Sequence, residues 1–323
     1  MNLIRAVIDV GTNSVKLLVA ELAGSEVRPV FEESRQTRLG QGFYTSHRLQ
    51  PEPIAKTAAA VAEFAGQARE LGALSVRVIA TSAAREAGNR SELLAAIERS
   101  SQLPVQIISG AQEANWAYEG VCTDPALART ALVLLDIGGG SMEVIVGHDG
   151  KREFSRSYEI GTVRLLERLH PGDPPATAEL GSCRDFIRKF LQANVQPALE
   201  PFFAMRPATP ALPGADPAPR FILVGTGGTA SILGCMEATL DHFDRERLES
   251  TRLSLERLRW HVEHLWRLPL EQRKQVVGLP KNRADVILTG TAIFEAVAEL
   301  FGFRELRIST RGLRFAAVAQ TLP

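Results

Sequence analysis

Two aspartates in this chain close apolar runs and stand directly before glycine-bearing turns. Ala6-Val7-Ile8-Asp9-Val10-Gly11-Thr12-Asn13-Ser14 aligns with Val133-Leu134-Leu135-Asp136-Ile137-Gly138-Gly139-Gly140-Ser141. A carboxylate at the end of a buried strand is costly unless it meets a cation, a donor or water. Glycine beside it lets backbone N–H groups turn toward an anion, because no Cβ blocks the approach. A carboxylate next to an N–H cradle, present twice, suits a divalent cation held together with phosphate. The same pattern also describes two ordinary hairpins whose aspartates cap turns. Glu143, two residues beyond Ser141, adds a second carboxylate near Asp136.

Three further segments carry polar groups at element ends. Gly225-Thr226-Gly227-Gly228-Thr229 joins an apolar run to a helical pattern, and a helix N-terminus offers free N–H groups to an anion. No Lys follows these glycines, so it is not a Walker loop, and the Rossmann spacing is absent too. In Thr81-Ser82-Ala83-Ala84-Arg85-Glu86-Ala87-Gly88-Asn89, Arg85 can present a planar fork to phosphate or simply pair with Glu86 or water. Glu113, in Ser109-Gly110-Ala111-Gln112-Glu113-Ala114, stands in a helix first turn. There it either complements the helix dipole or, in a cleft, serves as the base that deprotonates a water.

The elements that must hold these groups alternate between strand and helix. Leu3–Asp9, Val15–Glu21, Val27–Glu33, Ser75–Ala80 and Val105–Ser109 read as strands. Helical periodicity runs over Ile54–Leu71, closed by Gly72, from an N-cap at Ser91 to Arg99, and from Ala111 to Val121. The second half repeats the opening: strands at Thr130–Ile137 and Met142–Gly147 flank the turn at Gly138–Ser141. Helices follow at Val163–Leu169, Ala178–Glu200, Ala230–Thr239, Ser254–Leu265, Ala284–Leu300 and Leu313–Gln320, with strands at Phe221–Val224 and Leu306–Ser309. The proline-rich segment Pro207–Pro219 reads as an irregular loop. The internal similarity predicts an α/β protein of two related domains, residues 1–125 and 126–310, whose Asp-tipped hairpins face each other across a cleft. The terminal helix, about 311–323, is expected to pack back on the first domain.

Composition excludes several function classes. The 323 residues carry 37 Lys+Arg against 37 Asp+Glu, a zero net charge that argues against a nucleic-acid-binding surface over the whole molecule. Cys122, Cys183 and Cys235 lie far apart and suggest neither a disulfide framework nor a zinc site. His261 and His264 read as ordinary surface or groove residues. No apolar run reaches the ~18–20 residues that span a membrane, and the N-terminus lacks a signal-peptide layout, so a cytoplasmic location is expected.

Taken in order, these motifs resemble the exopolyphosphatase / guanosine pentaphosphate phosphohydrolase (Ppx/GppA) phosphatase family. The resemblance also draws on Gly161-Thr162-Val163-Arg164, Arg283-Ala284-Asp285-Val286-Ile287 and Arg311-Gly312-Leu313-Arg314, and extends from residue 6 to about 316. It implies two actin-like ATPase (ribonuclease H-like) domains flanking the active-site cleft. Glu113 then matches the family's water-activating glutamate, Asp136 and Glu143 its metal and water-orienting carboxylates, and Asp9 the facing carboxylate. Arg85 matches a phosphate-contacting arginine. The loops Gly11–Ser14, Gly138–Ser141 and Gly225–Thr229 match the phosphate cradles. The implied cofactor is Mg²⁺ or Mn²⁺, and the implied partner is inorganic polyphosphate or a guanosine polyphosphate, with neither nucleic acid nor membrane; a homodimer is compatible with it.

The expected activity is hydrolysis of terminal phosphoanhydride bonds of polyphosphate. Guanosine pentaphosphate or a nucleoside triphosphate is the alternative substrate, and a nucleotide sensor with little catalysis is the alternative class. The chain departs from the family pattern at Gln112 and Asn115, which flank Glu113 where a Glu and an Arg are common. Thr310 replaces an Asp before Arg-Gly-Leu-Arg, and Phe315 stands where an acidic residue is usual. The chain reads as a short form without the additional helical domain of longer members.

Overall fold

The structure, a computed structural model, describes residues 3–24, 26–205 and 221–320. The expected loop at Pro207–Pro219 lies outside them. Two mixed sheets organise the described residues. The first is built from β1 (Leu3–Val10), β2 (Ser14–Ala23), β3 (Glu26–Gln36), β4 (Val76–Ala80) and β5 (Val105–Ile107), in the order β3-β2-β1-β4-β5. The second comprises β6 (Leu132–Ile137), β7 (Met142–His148), β8 (Lys151–Tyr158), β9 (Ile222–Thr226), β10 (Arg252–Ser254) and β11 (Glu305–Ile308), in the order β10-β11-β9-β6-β7-β8. In each sheet an Asp-tipped hairpin is antiparallel while its first strand also pairs in parallel with a later strand, β1 with β4 and β6 with β9. Strands covered on both faces read as continuous apolar runs, which is why Ile8–Val10 and Leu132–Leu135 were legible as buried.

Helices α1 (Phe43–Ser46), α2 (Pro51–Glu70), α3 (Ser82–Glu86), α4 (Arg90–Ser101), α5 (Gly110–Val121) and α6 (Pro125–Ala128) accompany the first sheet. Gly72, with φ of 80°, closes α2 in the left-handed region. The helix expected from an N-cap at Ser91 begins at Arg90 instead, with Asn89 at the cap position. The Asn89 side chain is drawn away to clamp Leu49, donating to its carbonyl at 3.0 Å and accepting from its N–H at 2.9 Å.

The second half adds α7 (Thr162–Leu169), α8 (Thr177–Asn194), α9 (Gln196–Met205), α10 (Gly227–Glu237), α11 (Arg245–Ser250), α12 (Leu255–Arg267), α13 (Leu270–Arg273) and α14 (Ile287–Phe301). The single helix expected over Ala178–Glu200 is two, because Pro197 has no N–H to continue the α8 ladder. His261 is not a surface residue: it is 3% exposed and its Nε2 lies 2.8 Å from Glu237.

The final helix, α15 (Leu313–Ala319), returns to the first sheet. Its Leu313, Phe315, Ala317 and Val318 pack with Val7, Leu18, Ile79 and Trp116. Helix α5 therefore has two apolar faces: Trp116 looks toward α15, while Ala117, Tyr118 and Val121 pack on Leu132, Leu134 and Ile145 of the second sheet. A Cβ on Gly120 would lie 2.0 Å from the Gly312 carbonyl oxygen, so glycine is what lets α5 approach that backbone.

Candidate active site

The two hairpins turn alike. Gly11 N–H donates to the Ser14 carbonyl at 3.0 Å, and Gly138 N–H to the Ser141 carbonyl at 2.9 Å. Strand register then fixes what stands opposite each aspartate: Lys16 faces Asp9 across β1–β2, and Glu143 faces Asp136 across β6–β7. Both partners lie seven residues beyond their aspartate, one a cation and the other a carboxylate.

These groups line an interdomain cleft of about 580 Å³ together with Gly11, Thr12, Asn13, Ser14, Glu113, Gly138, Gly139, Gly140, Ser141, Gly227, Gly228 and Thr229. Gly225 does not reach it. A Cβ there would meet Phe294 and Leu306, so this glycine serves packing of β9 on α14 and β11. Gly227, at φ of 83°, approaches the Asp136 carboxylate so closely that a Cβ would sit 2.2 Å from Oδ1. Arg85 likewise stands beside the cleft rather than in its open wall. Its Nη1 donates to Glu113 Oε2 and to the Ile108 carbonyl, both at 3.0 Å. Glu113 itself is set by the N-cap of α5, where Ser109 Oγ accepts from Gln112 N–H at 3.1 Å.

Four buried carboxylates crowd this floor. Burial pushes Glu113 up to about 7, with the Arg85 guanidinium pulling down and the charges of Asp9 and Asp136 adding to the rise. Burial also raises Asp136 and Asp9, opposed in both by Lys16. Glu143 is raised well above the carboxylate range by burial and then by Glu113 and Asp136, against a 2.6 Å hydrogen bond from Ser157 Oγ. Such a set calls for cations. Lys16 is one, its own pKa lowered by burial. Arg283 is another, donating to Ser14 Oγ at 2.7 Å and pushed down to about 10 by burial. Arg314 donates to the Leu17 carbonyl at 2.8 Å and acts on Asp9.

Neither Lys16 nor Arg283 stands out as a lone basic residue in sequence. The signal for Lys16 was in the repeat, at the position equivalent to Glu143.

Among the described residues no group of three or more His, Cys, Asp or Glu side chains can hold a metal by itself. Asp9 Oδ1 is nevertheless buried without a hydrogen-bond partner. Asp9, Asp136 and Glu143 bring hard carboxylate oxygens to one cleft, the donor type that divalent cations take together with phosphate and water.

The departures around the site have local partners. Asn115 Nδ2 donates to Glu119 at 2.8 Å. Thr310 Oγ1 bonds Glu249 and Arg245. Phe315 is buried in the α15 core with the Arg245 and Arg311 guanidinium groups 5.1 and 5.6 Å from its ring centre, so the aromatic face meets the cations here.

This chain is similar to known proteins over nearly its whole length. The model of the Ppx/GppA phosphatase family matches residues 18–323. Exopolyphosphatase 2 of Mycobacterium tuberculosis is 33% identical over 313 residues, covering 94% of this chain and 90% of that protein. A guanosine-5'-triphosphate,3'-diphosphate pyrophosphatase of Aeromonas hydrophila is 29% identical over 311 residues, covering 96% of this chain and 57% of the longer protein. Among solved structures, the Aquifex aeolicus PPX-GPPA enzyme aligns over 99% of this chain and 100% of its own, with a TM-score of 0.76 and 28% identity. An exopolyphosphatase from Cytophaga hutchinsonii, at 24% identity, shares the fold with a TM-score of 0.83 over 97% of this chain and 96% of its own. The two mixed sheets are thus the pair of actin-like domains of these structures, and the chain belongs to the Ppx/GppA phosphatase family.

Proposed function

We propose that this protein is a cytoplasmic, Mg²⁺-dependent exopolyphosphatase that removes terminal phosphate from inorganic polyphosphate. The observation that carries the reading is the placement of Glu113 in one cleft with the Asp136–Glu143 pair and three glycine-bearing loops. Water attacks the terminal phosphorus, the new P–O bond forms in line with the breaking anhydride bond, and the water proton passes to the Glu113 carboxylate. The shortened chain leaves as its phosphate anion. The loops 12–14, 139–141 and 227–229 line the path of the phosphates and supply N–H donors to them, and Arg85 holds Glu113 in place. Asp136 and Glu143, with Asp9 opposite, would hold the Mg²⁺ (or Mn²⁺), which when bound neutralises charge on the phosphoryl oxygens.

A second substrate has its own support. Beyond the carboxylates the cleft continues along Ile232, Cys235, Leu240, Phe243, Leu279 and Pro280, an apolar wall that suits a base better than bare phosphate. This wall is the observation that supports guanosine pentaphosphate as the alternative substrate. The deciding experiment is phosphate release from long polyphosphate, short polyphosphate, guanosine pentaphosphate and ATP, each with and without Mg²⁺. Faster turnover of polyphosphate supports the first reading and faster turnover of guanosine pentaphosphate the second. Binding of any of them without release makes the protein a sensor.

A further inference from the structure

The glycine loop after β6 has each of its carbonyls held from behind by α7. Thr162 N–H donates to the Gly138 carbonyl at 3.0 Å, and Val163 and Arg164 N–H groups donate to Gly139 at 2.8 and 3.1 Å. The third carbonyl, that of Gly140, is taken by the Arg164 side chain, whose Nε donates to it at 2.8 Å. In a trans peptide the C=O and the following N–H point to opposite sides. Fixing these carbonyls on α7 turns the N–H groups of Gly139, Gly140 and Ser141 the other way, and all three residues line the cleft.

Arg164 differs from the backbone donors in what its other groups touch. Its Nη2 donates to both oxygens of Glu86, at 2.8 and 2.7 Å, and its guanidinium carbon lies 4.2 Å from the centre of the Tyr44 ring. Glu86 and Tyr44 belong to the opposite domain. Glu86 is on α3, next to Arg85, and also accepts from Ser82 Oγ at 2.8 Å. A Cβ on Gly140 would fall 2.0 Å from Tyr44 Oη and 2.4 Å from Ser82 Oγ, so the loop and the opposite wall are in direct contact here.

We propose that Arg164 is a positioning residue that couples closure of the two domains to the orientation of the Ser141 N–H, and through Glu86 to the placement of α3 and Arg85. With the domains together, one planar fork holds Gly140 and Glu86 at once. With them apart, the Glu86 anchor is lost and the third N–H is no longer fixed. The phosphate cradle is thereby complete only around an enclosed substrate, which keeps water from competing for its donors. This inference rests on the hydrolase reading above.

The test combines steady-state kinetics on inorganic tripolyphosphate with hydrogen exchange in the free protein, for wild type, Arg164→Ala, Arg164→Lys and Glu86→Gln. Arg164→Ala is expected to lower kcat on the order of 10²-fold while KM moves by less than about threefold, because a misaimed donor is felt in the transition state. Arg164→Lys should not restore kcat, since an ammonium cannot hold the carbonyl and the carboxylate with one planar group. In both, exchange should quicken in segments 80–89 and 138–143 together. Should Arg164→Ala fail to fold, Glu86→Gln, which keeps an acceptor, carries the same expectations at smaller amplitude. Unchanged kcat per folded molecule, full rescue by Lys, or unchanged exchange in either segment overturns the proposal. If wild type releases no phosphate from any substrate, the hydrolase reading falls. The clamp is then decided by exchange alone: coordinated quickening of both segments sustains it and its absence removes it.

Discussion

Arg85 and Glu113 come from different helices, 28 positions apart, and meet at 3.0 Å beside a cleft in which Glu113 is 8% exposed. The guanidinium opposes what burial does to the carboxyl, and the balance leaves Glu113 at about 7, where a carboxylate can both accept a proton and release it. Replacing Glu113 by Gln keeps the shape and removes the base. Turnover of the preferred substrate is expected to drop roughly 10²–10⁴-fold with substrate binding retained. A phosphate-release assay paired with a binding titration reads both, and retention of turnover would assign the base elsewhere.

The same carboxyl sets a pH dependence. Only its ionised form accepts the water proton, so kcat/KM should climb with pH up to about 7 and level off above. Arg85→Ala removes the charge that lowers this pKa and should move the climb to higher pH. Stability runs the opposite way. Between the ordinary glutamate value of 4.5 and about 7 the folded state holds a proton that the unfolded chain has released. Stability toward unfolding therefore falls as pH rises through that window, by at most ~1.4 kcal/mol per unit for this one group. Denaturant melts of metal-free wild type and Glu113→Gln between pH 5 and 8 compare the two slopes, and the variant's should be shallower. Parallel slopes would mean that Glu113 is ionised throughout.

Asp136 and Glu143 face each other across a hairpin and Asp9 stands opposite with an unpaired oxygen. Asp136→Asn and Glu143→Gln each take a charged oxygen from this group and should raise the Mg²⁺ concentration at half-maximal rate. The readout is a metal titration of initial rates, repeated with Mn²⁺. Half-saturation left where it was in both variants would place the ion on other residues.

A polyanion held among Lys16, Arg283 and the loop N–H groups is drawn in by charge that salt screens over ~8–10 Å. KM for polyphosphate should rise with added KCl more than kcat falls. Arg283→Ala, which removes a cation that lines the cleft and donates to Ser14 Oγ, should raise KM further, and Arg283→Lys, which keeps the charge, should restore it in part. Steady-state kinetics across a salt series decide this, and a KM indifferent to both salt and Arg283→Ala would put the substrate outside the cleft.

The α5–α15 contact offers a test free of catalysis. Gly120→Ala would drive a methyl group to within 2.0 Å of the Gly312 carbonyl oxygen, a backbone atom that cannot swing aside. Overpacking of this kind costs about 1–3 kcal/mol, so the midpoint of thermal unfolding should fall by several degrees. A midpoint equal to that of wild type would show that α15 can shift outward without loss.

Local chemistry was legible wherever neighbours along the chain decide it. The Asp-Gly hairpins at Asp9–Ser14 and Asp136–Ser141 follow from apolar runs meeting glycine, and helix α5 follows from its apolar period, while its Ser109 cap came only with the structure. Strand β8, Lys-Arg-Glu-Phe-Ser-Arg-Ser-Tyr, escaped because it lies at a sheet edge with little buried surface, and β10 did for the same reason. Gly225 resembled the cradle glycines beside it, yet strand register turns its Cα toward Phe294. What only the tertiary structure decided are the pairings across the cleft: Ser14 with Arg283, Glu86 with Arg164, and Lys16 beside both Asp9 and Asp136. Periodicity and capping act over a few residues. These partners lie up to 269 positions apart, and they meet because two sheets that share α5 bring their hairpins face to face. The sequence by itself determined the elements and the residue types at their tips. The docking of the two domains decided which charges share one buried floor, and with that which carboxyl stands near neutrality.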